Sequence, residues 1–217
     1  LLGGETAQMP DFYAAGEYDL AGFVVGIVSR DRILDGSGVR AGDVLLGLPS
    51  SGLHTNGYTL ARKIVFDAMG LTVDDRFPGS ERSVGEVLLD VHRSYLDPLW
   101  PILETGTIRG LAHITGGGIP GNLPRILGME LGARVDLSSW EAPDVFRVLQ
   151  KAGKVERDEM LEVFNMGVGM VVVTSPGDAD SVLSTLRAEE SSPWVMGAAM
   201  TPVCVENCQS GCPASAL

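Results

Sequence analysis

Residues 43–70 read DVLLGLPSSGLHTNGYTLARKIVFDAMG. The opening DVLLGL (43–48) is a short apolar run of strand length, closed by Pro49 and two serines. After Tyr58 the period changes: Leu60, Ile64, Ala68 and Leu71 recur at helical spacing, and Gly70 is a natural stop. A strand, a glycine- and serine-rich loop and a helix thus follow one another without a break. That order is a unit of an α/β or α+β fold, and it aims loop amides at an anion.

The alternation continues on both sides. Upstream, LAGFVVGIVS (20–29) is apolar and β-branched and predicts a strand, and a turn-rich passage near 30–42 predicts a domain boundary. Downstream, SVGEVLLDV predicts a helix, and Asp97-Pro98 predict the cap and first-turn proline of a helix over PLWPILETG. GLAHIT predicts a strand, NLPRILG a short helix and ARVDLS a strand. PDVFRVLQKAG and RDEMLEVFN predict helices, GMVVVTS a strand, PGDADSVLSTLRAEE a helix begun by Pro176, and PWVMGAA a last strand. The fold class expected is α/β (α+β): a mixed sheet with helices packed on one or both faces.

Composition narrows the function. The chain has 217 residues, 45% hydrophobic and 20% charged, with a net charge of -12. That length buries a sizeable core. So acidic a surface repels phosphate backbones and anionic membranes, so nucleic acid and membrane are not expected partners. No apolar run reaches the roughly 20 residues that span a bilayer. All three cysteines, Cys204, Cys208 and Cys212, lie near the C-terminus. Cysteine-free chain elsewhere fits a reducing cytoplasm. The tail spacing suits either a thiolate metal site or exposed thiols on a frayed end, and Gly211 and Pro213 speak against a helix that would gather them.

Three stretches carry candidate chemistry. In GLPSSGLHTNGY, glycines allow close backbone approach, Ser50 and Ser51 add hydroxyls, His54 can move a proton and Asn56 can cap the helix. The alternative is an ordinary capped turn with a satisfied histidine, since the G-K-[ST] ending of a Walker loop is missing. In HITGGGIPGNLPR, from His113 to Arg125, three successive glycines suggest that something approaches the backbone; a flexible hinge is the alternative. In GGETAQMP at the start, Glu5 and Thr6 could face Mg²⁺ on a nucleotide. His92 in HRSY reads as a buried strand histidine.

Taken together and in order, GGETAQMP, GLPSSGLHTNGYTLAR, HITGGG..NLPR and FNMGVGM resemble the phosphoribosylformylglycinamidine cyclo-ligase family, also called aminoimidazole ribonucleotide synthetases, from residue 1 to about Gly197. The resemblance implies an ATP- and Mg²⁺-using ligase of purine biosynthesis in the cytoplasm, homodimeric at full length. Such an enzyme closes formylglycinamidine ribonucleotide to aminoimidazole ribonucleotide, releasing ADP and phosphate. It implies that 1–32 are the last pieces of an N-terminal, ATP-binding and dimer-forming domain. Residues 33–200 would be the C-terminal domain and 201–217 an atypical tail.

By the same resemblance, His54 and His113 are the catalytic candidates. Ser50, Ser51, Gly52, Leu53, Thr55, Asn56, Thr115, Gly116, Gly117 and Gly118 would bind substrate or phosphate. Gly4, Glu5 and Thr6 would bind nucleotide, with Glu5 as the metal ligand. Two departures stand out: Gly121 occupies a position where the family commonly has an acidic residue, and Val91 one where it usually has proline. The competing expectations are a non-catalytic module that holds a phosphorylated ligand and a related ATP-dependent enzyme with another substrate.

Overall fold

The apolar run after Asp43 forms β1 (Val44–Pro49), and its side chains point alternately into two different cores. In the computed structural model, which describes residues 24–189 and 191–201, β1 belongs to a five-stranded sheet. Its other strands are β2 (Ile108–His113), β3 (Gly132–Val135), β4 (Val168–Thr174) and β5 (Trp194–Met200). The spatial order is β2-β4-β1-β5-β3. In place of the mixed sheet expected from sequence, all four ladders run antiparallel. β4 has neighbours on both sides and cover on both faces. This is why GMVVVTS reads as a continuous apolar run rather than an alternating one.

The helices are α1 (Tyr58–Arg62), α2 (Val84–Leu88), α3 (Leu96–Leu103), α4 (Gly118–Asn122), α5 (Asp144–Gly153), α6 (Arg157–Val163) and α7 (Ala179–Ala188). On one face of the sheet, Leu46, Leu48 and Val172 pack with Leu99 and Ile102 of α3 and Val182 and Leu186 of α7. On the other, Leu45, Val171 and Val173 pack with Ile119 of α4 and Leu123 just after it. A third cluster joins α1, α2, α5 and α6 around Phe77, Phe146, Met160 and Phe164. Asp43, 1% exposed, ties the edge of β1 to β2: its carboxylate accepts from Arg109 Nη1 at 2.6 Å and from the Arg40 amide at 2.8 Å.

Ser83 and Glu86 form a reciprocal capping box at the start of α2. Ser83→Ala is expected to lower stability by about 1 kcal/mol, read as a shift of the urea midpoint.

Three helix expectations shift. Where NLPRILG predicts a short helix, α4 ends at Asn122 and only a 3₁₀ turn follows at Leu123–Ile126. α1 continues into a π-helical segment, Lys63–Ala68, so the buried positions are Ala61, Ile64 and Val65, and Ala68 faces solvent. The wider π turn rotates Ala68 off the face that a 3.6-residue period assigns it. α3 starts at Leu96 with Tyr95 as its cap residue, so Asp97 is not the cap, and Pro98 lies in the first turn, where no helical N–H is needed.

The chain divides into two units, Leu1–Ile33 and Leu34–Leu217. In the described part of the first, residues 24–29 form no strand, contrary to the reading of 20–29, and a 3₁₀ turn follows at Arg30–Arg32. Gly4, Glu5, Thr6 and the cysteine tail lie outside the described residues. Among the described residues, no helix is long and apolar enough to cross a membrane.

Candidate functional site

The loop after β1 is held in an unusual backbone path. His54 and Thr55 have φ of 52° and 59°, and Gly57 has 75°. Two successive non-glycine residues in the left-handed region cost about 1–2 kcal/mol each, so surrounding bonds must hold them there. Asn165, 1% exposed, is one anchor. Its Oδ1 accepts from Ser50 Oγ at 2.9 Å and from the Gly167 amide at 2.8 Å, and its Nδ2 donates to Gly52 O at 2.8 Å. Asn165→Ala removes all three and is expected to cost about 2 kcal/mol. Hydrogen exchange should then quicken at residues 50–52 more than in β4; equal protection in both variants would contradict this anchoring.

Asn56 joins this loop to the glycine-rich turn after β2. Its Oδ1 accepts from the Gly116 amide at 2.9 Å, and its Nδ2 donates to His54 O at 2.6 Å. Asn122, 4% exposed, braces the turn from within. Its Nδ2 lies within hydrogen-bonding distance of three carbonyls, Thr115 O (3.3 Å), Gly116 O (3.2 Å) and Gly118 O (2.8 Å). Gly117 and Gly118 have φ of 95° and 57°, which explains two of the three glycines on conformational grounds.

The three histidines meet beside these loops. They come from the loop after β1, from an extended segment that crosses it before α3, and from the end of β2. His54 stacks on His92 with centroids 3.9 Å apart and an interplanar angle of 18°. His92 Nε2 lies 3.0 Å from His113 Nε2, so one nitrogen carries a proton and the other accepts it. Tyr95 sits edge-on to His54 and His113 and donates its hydroxyl to Pro49 O at 2.8 Å.

His54 is 1% exposed. Its Nε2 accepts from the Ser51 amide at 2.9 Å. Ser51 Oγ, also 2.9 Å away, gives its proton to Val91 O at 2.7 Å. The ring proton therefore sits on Nδ1, which has no hydrogen-bond partner. Burial lowers the His54 pKa to about 4, helped by the neighbouring His92, His113 and Arg93, so this ring is neutral at pH 7. His113 is lowered too, first by burial and then by His92, and burial raises the Tyr95 hydroxyl.

The structure thus brings together the two loops singled out in the sequence, but it sorts their residues. Ser51, Thr55, His113, Gly116 and Gly117 are exposed, and Ser50, Asn56 and Thr115 are half-buried. Gly52 and Gly118 are buried, and Leu53, 2% exposed, belongs to the hydrophobic core. Several amides already have protein acceptors: Ser50 N donates to Gly167 O, Asn56 N to Leu53 O and Gly118 N to Thr115 O. Ser50, Ser51 and Gly52 also line a cavity of about 290 Å³ with Phe77, Arg82 and Asp90; there the Arg82 guanidinium is paired with the Asp90 carboxylate at 2.6 Å.

His92 is not the buried strand histidine expected. It lies in an extended, half-buried stretch and contacts both other histidines, because the chain crosses from α2 to α3 directly over the loop. Tyr95, Asn165 and Asn122 are further members that sequence reasoning did not assign. Asn165 and Asn122 each sit beside glycines in a quoted motif, which is the signal that could have marked them.

Comparison with known proteins adds context. Residues 40–200 match the family described as AIR synthase related protein, C-terminal domain. The phosphoribosylformylglycinamidine cyclo-ligase of Trichlorobacter lovleyi is 49% identical over 197 residues, 91% of this chain and 56% of that relative. The one from Sorangium cellulosum is 51% identical over 199 residues, 91% of this chain and 57% of the relative. The chain therefore spans a little over half the length of these curated relatives. Among solved structures, thiamine-monophosphate kinase from Stenotrophomonas maltophilia superposes with a TM-score of 0.56 at 13% identity, covering 81% of this chain and 52% of that one, a likeness of fold alone.

Proposed function

The chain belongs to the AIR synthase related protein, C-terminal domain family, and from that premise we propose that it forms the substrate-side part of an ATP-dependent ring-closing ligase. Its reaction is the closure of formylglycinamidine ribonucleotide to aminoimidazole ribonucleotide. The observation that carries this reading is the Asn56–Gly116 bond of 2.9 Å, which joins the two glycine-rich loops into one floor beside the histidines. Identities of 49% and 51% to cyclo-ligases support the choice of reaction.

In the proposed chemistry, ATP supplies a phosphoryl group that turns the formyl oxygen into a leaving group, so that a substrate nitrogen can close the ring and phosphate departs. Such a transfer depends on positioning and charge neutralisation more than on a protein nucleophile. The exposed Ser51, Thr55, Gly116 and Gly117 are placed to orient the substrate. His113, exposed and with its pKa lowered by its surroundings, is the imidazole that can take the proton released by the closing nitrogen. His54 has its acceptor nitrogen committed to the Ser51 amide, so in this reading it positions the loop rather than touching substrate.

Mg²⁺ prefers oxygen ligands, and the one metal-competent cluster among the described residues is built of nitrogens. On the resemblance of GGETAQMP to the family, the metal that accompanies ATP is assigned in this proposal to the Glu5 region, together with Gly4 and Thr6. Homodimerisation through the nucleotide-binding portion belongs to the same proposal.

The test is reconstitution. The chain is mixed with the N-terminal portion of the Trichlorobacter lovleyi cyclo-ligase, and phosphate release is followed with formylglycinamidine ribonucleotide and ATP. Release that needs both substrates and both polypeptides is expected. No release, while the relative's own C-terminal portion restores activity with the same partner, would overturn the assignment.

A further inference from the structure

The chain contains three histidines, and all three end in one cluster although they come from three separate segments. A ligating nitrogen of each lies within 4.8 Å of the others. We propose that this trio is a binding site for a borderline divalent transition-metal ion of the zinc or nickel class. His92 Nε2 and His113 Nε2 anchor the ion, and His54 is the third ligand.

His92 Nε2 and His113 Nε2 face one another at 3.0 Å. Two N–H groups cannot meet in that way, so the pair holds a single proton between two lone pairs, and a metal ion can take that proton's place once the proton has moved to Nδ1 of the ring that carries it. Zinc binds imidazole nitrogen at about 2.0–2.1 Å, which sets two nitrogens of a tetrahedral site roughly 3.3 Å apart. The two rings need to part only slightly to reach it. His113 is exposed and His92 half-buried, so the ion has a path from solvent and room for a further ligand.

His54 joins less readily. Its ring lies nearly parallel to His92, at 18°, so their lone pairs do not converge until His54 swings out of the stack. Its Nδ1 is buried without a partner, and ligation there supplies the missing interaction. The ring proton then moves to Nε2, where Ser51 Oγ, 2.9 Å away, is placed to accept it, and the Ser51 amide loses its acceptor. His54 is accordingly the weakest of the three ligands. Neutral imidazoles suit zinc, copper and nickel, whereas Mg²⁺ and Ca²⁺ demand oxygen. The net charge of -12 raises the local concentration of cations, and Arg93, whose Nη1 reaches Pro49 O at 3.5 Å, is the nearby charge that opposes them.

This inference goes beyond the ring-closing reading and competes with it at one atom: an ion on His113 Nε2 occupies the lone pair which that reading uses to take a proton. The test uses the full chain, stripped of metal, with its three cysteines alkylated so that tail thiols do not compete. Zinc chloride is titrated while the imidazole nitrogen resonances and the heat of binding are followed. One ion per chain is expected, with all three imidazoles shifting together and magnesium chloride shifting none. His92→Ala or His113→Ala should weaken binding about tenfold or more, and His54→Ala less. If millimolar zinc leaves the three imidazoles of the parent chain unmoved, or if the His92→Ala/His113→Ala chain binds zinc as tightly as the parent, the site does not exist. The parent spectrum decides the matter even where a variant fails to fold.

Discussion

Gly118→Ala is expected to cost about 4 kcal/mol of folding stability, a large part of what holds a domain together. A Cβ at this position would lie 1.8 Å from Leu161 O and 3.0 Å from Phe164 O. Both are backbone atoms at the end of α6, so no side-chain rotation relieves the overlap. Gly118 also has a φ of 57°, where any side chain adds its own strain. The two effects act at one point, the seat of α4 on α6 beneath the glycine-rich turn. Urea unfolding followed by circular dichroism should show a midpoint far below the parent's, or no cooperative transition at all. A midpoint close to the parent's would mean that α4 does not sit on α6 as described.

Gly169→Ala is the second large expected effect, about 3 kcal/mol, and it reaches the candidate site directly. The added carbon would lie 1.7 Å from the Tyr95 hydroxyl, 2.8 Å from its Cζ and 2.9 Å from His54 Cε1. Tyr95 must move, and its bond to Pro49 O is lost. His54 is pushed against His92, on which it already stacks. Unlike Gly118→Ala, the obstacle is side chain, so part of the loss should be recoverable. Adding Tyr95→Phe removes the nearest atom and should return about 1 kcal/mol, leaving the Cζ and His54 contacts. Imidazole resonances of His54 and His92 should shift in Gly169→Ala; unchanged resonances would show that β4 does not support the cluster from below.

Both glycines show what a sequence can and cannot tell. β1 and β4 were legible because each is a short apolar run, and DVLLGL and GMVVVTS lie within two residues of them, whereas the same signal over 20–29 gave no strand at 24–29. The helices were legible from their period except in two places: a π turn changes that period after Arg62, and α4 lies in a glycine-rich stretch with no helical period, while NLPRILG forms only a 3₁₀ turn at Leu123–Ile126. Antiparallel pairing was not legible, because an apolar run carries no mark of its neighbour's direction.

At the site, the glycine-rich loops announced themselves by composition. Their junction through Asn56 and Gly116 depends on residues far apart in the chain and leaves no local trace. His92 was misread for the same reason: VHRSY looks like a strand, and only the crossing of the chain over the β1 loop brings its ring to His54. Gly169 looks like the ordinary start of a strand; its contacts with Tyr95 and His54 come from tertiary packing.

The central claim is that the two glycine-rich loops and the His113 end of β2 form one surface that receives a phosphorylated ribonucleotide. Amide chemical-shift mapping of the labelled chain during titration with formylglycinamidine ribonucleotide tests it most directly. The account predicts saturable shifts concentrated at Ser51, Thr55, His113, Gly116 and Gly117, with Asn56→Ala dispersing or abolishing them. Saturable shifts confined to another face of the sheet, with residues 50–57 and 113–118 unmoved, would contradict it.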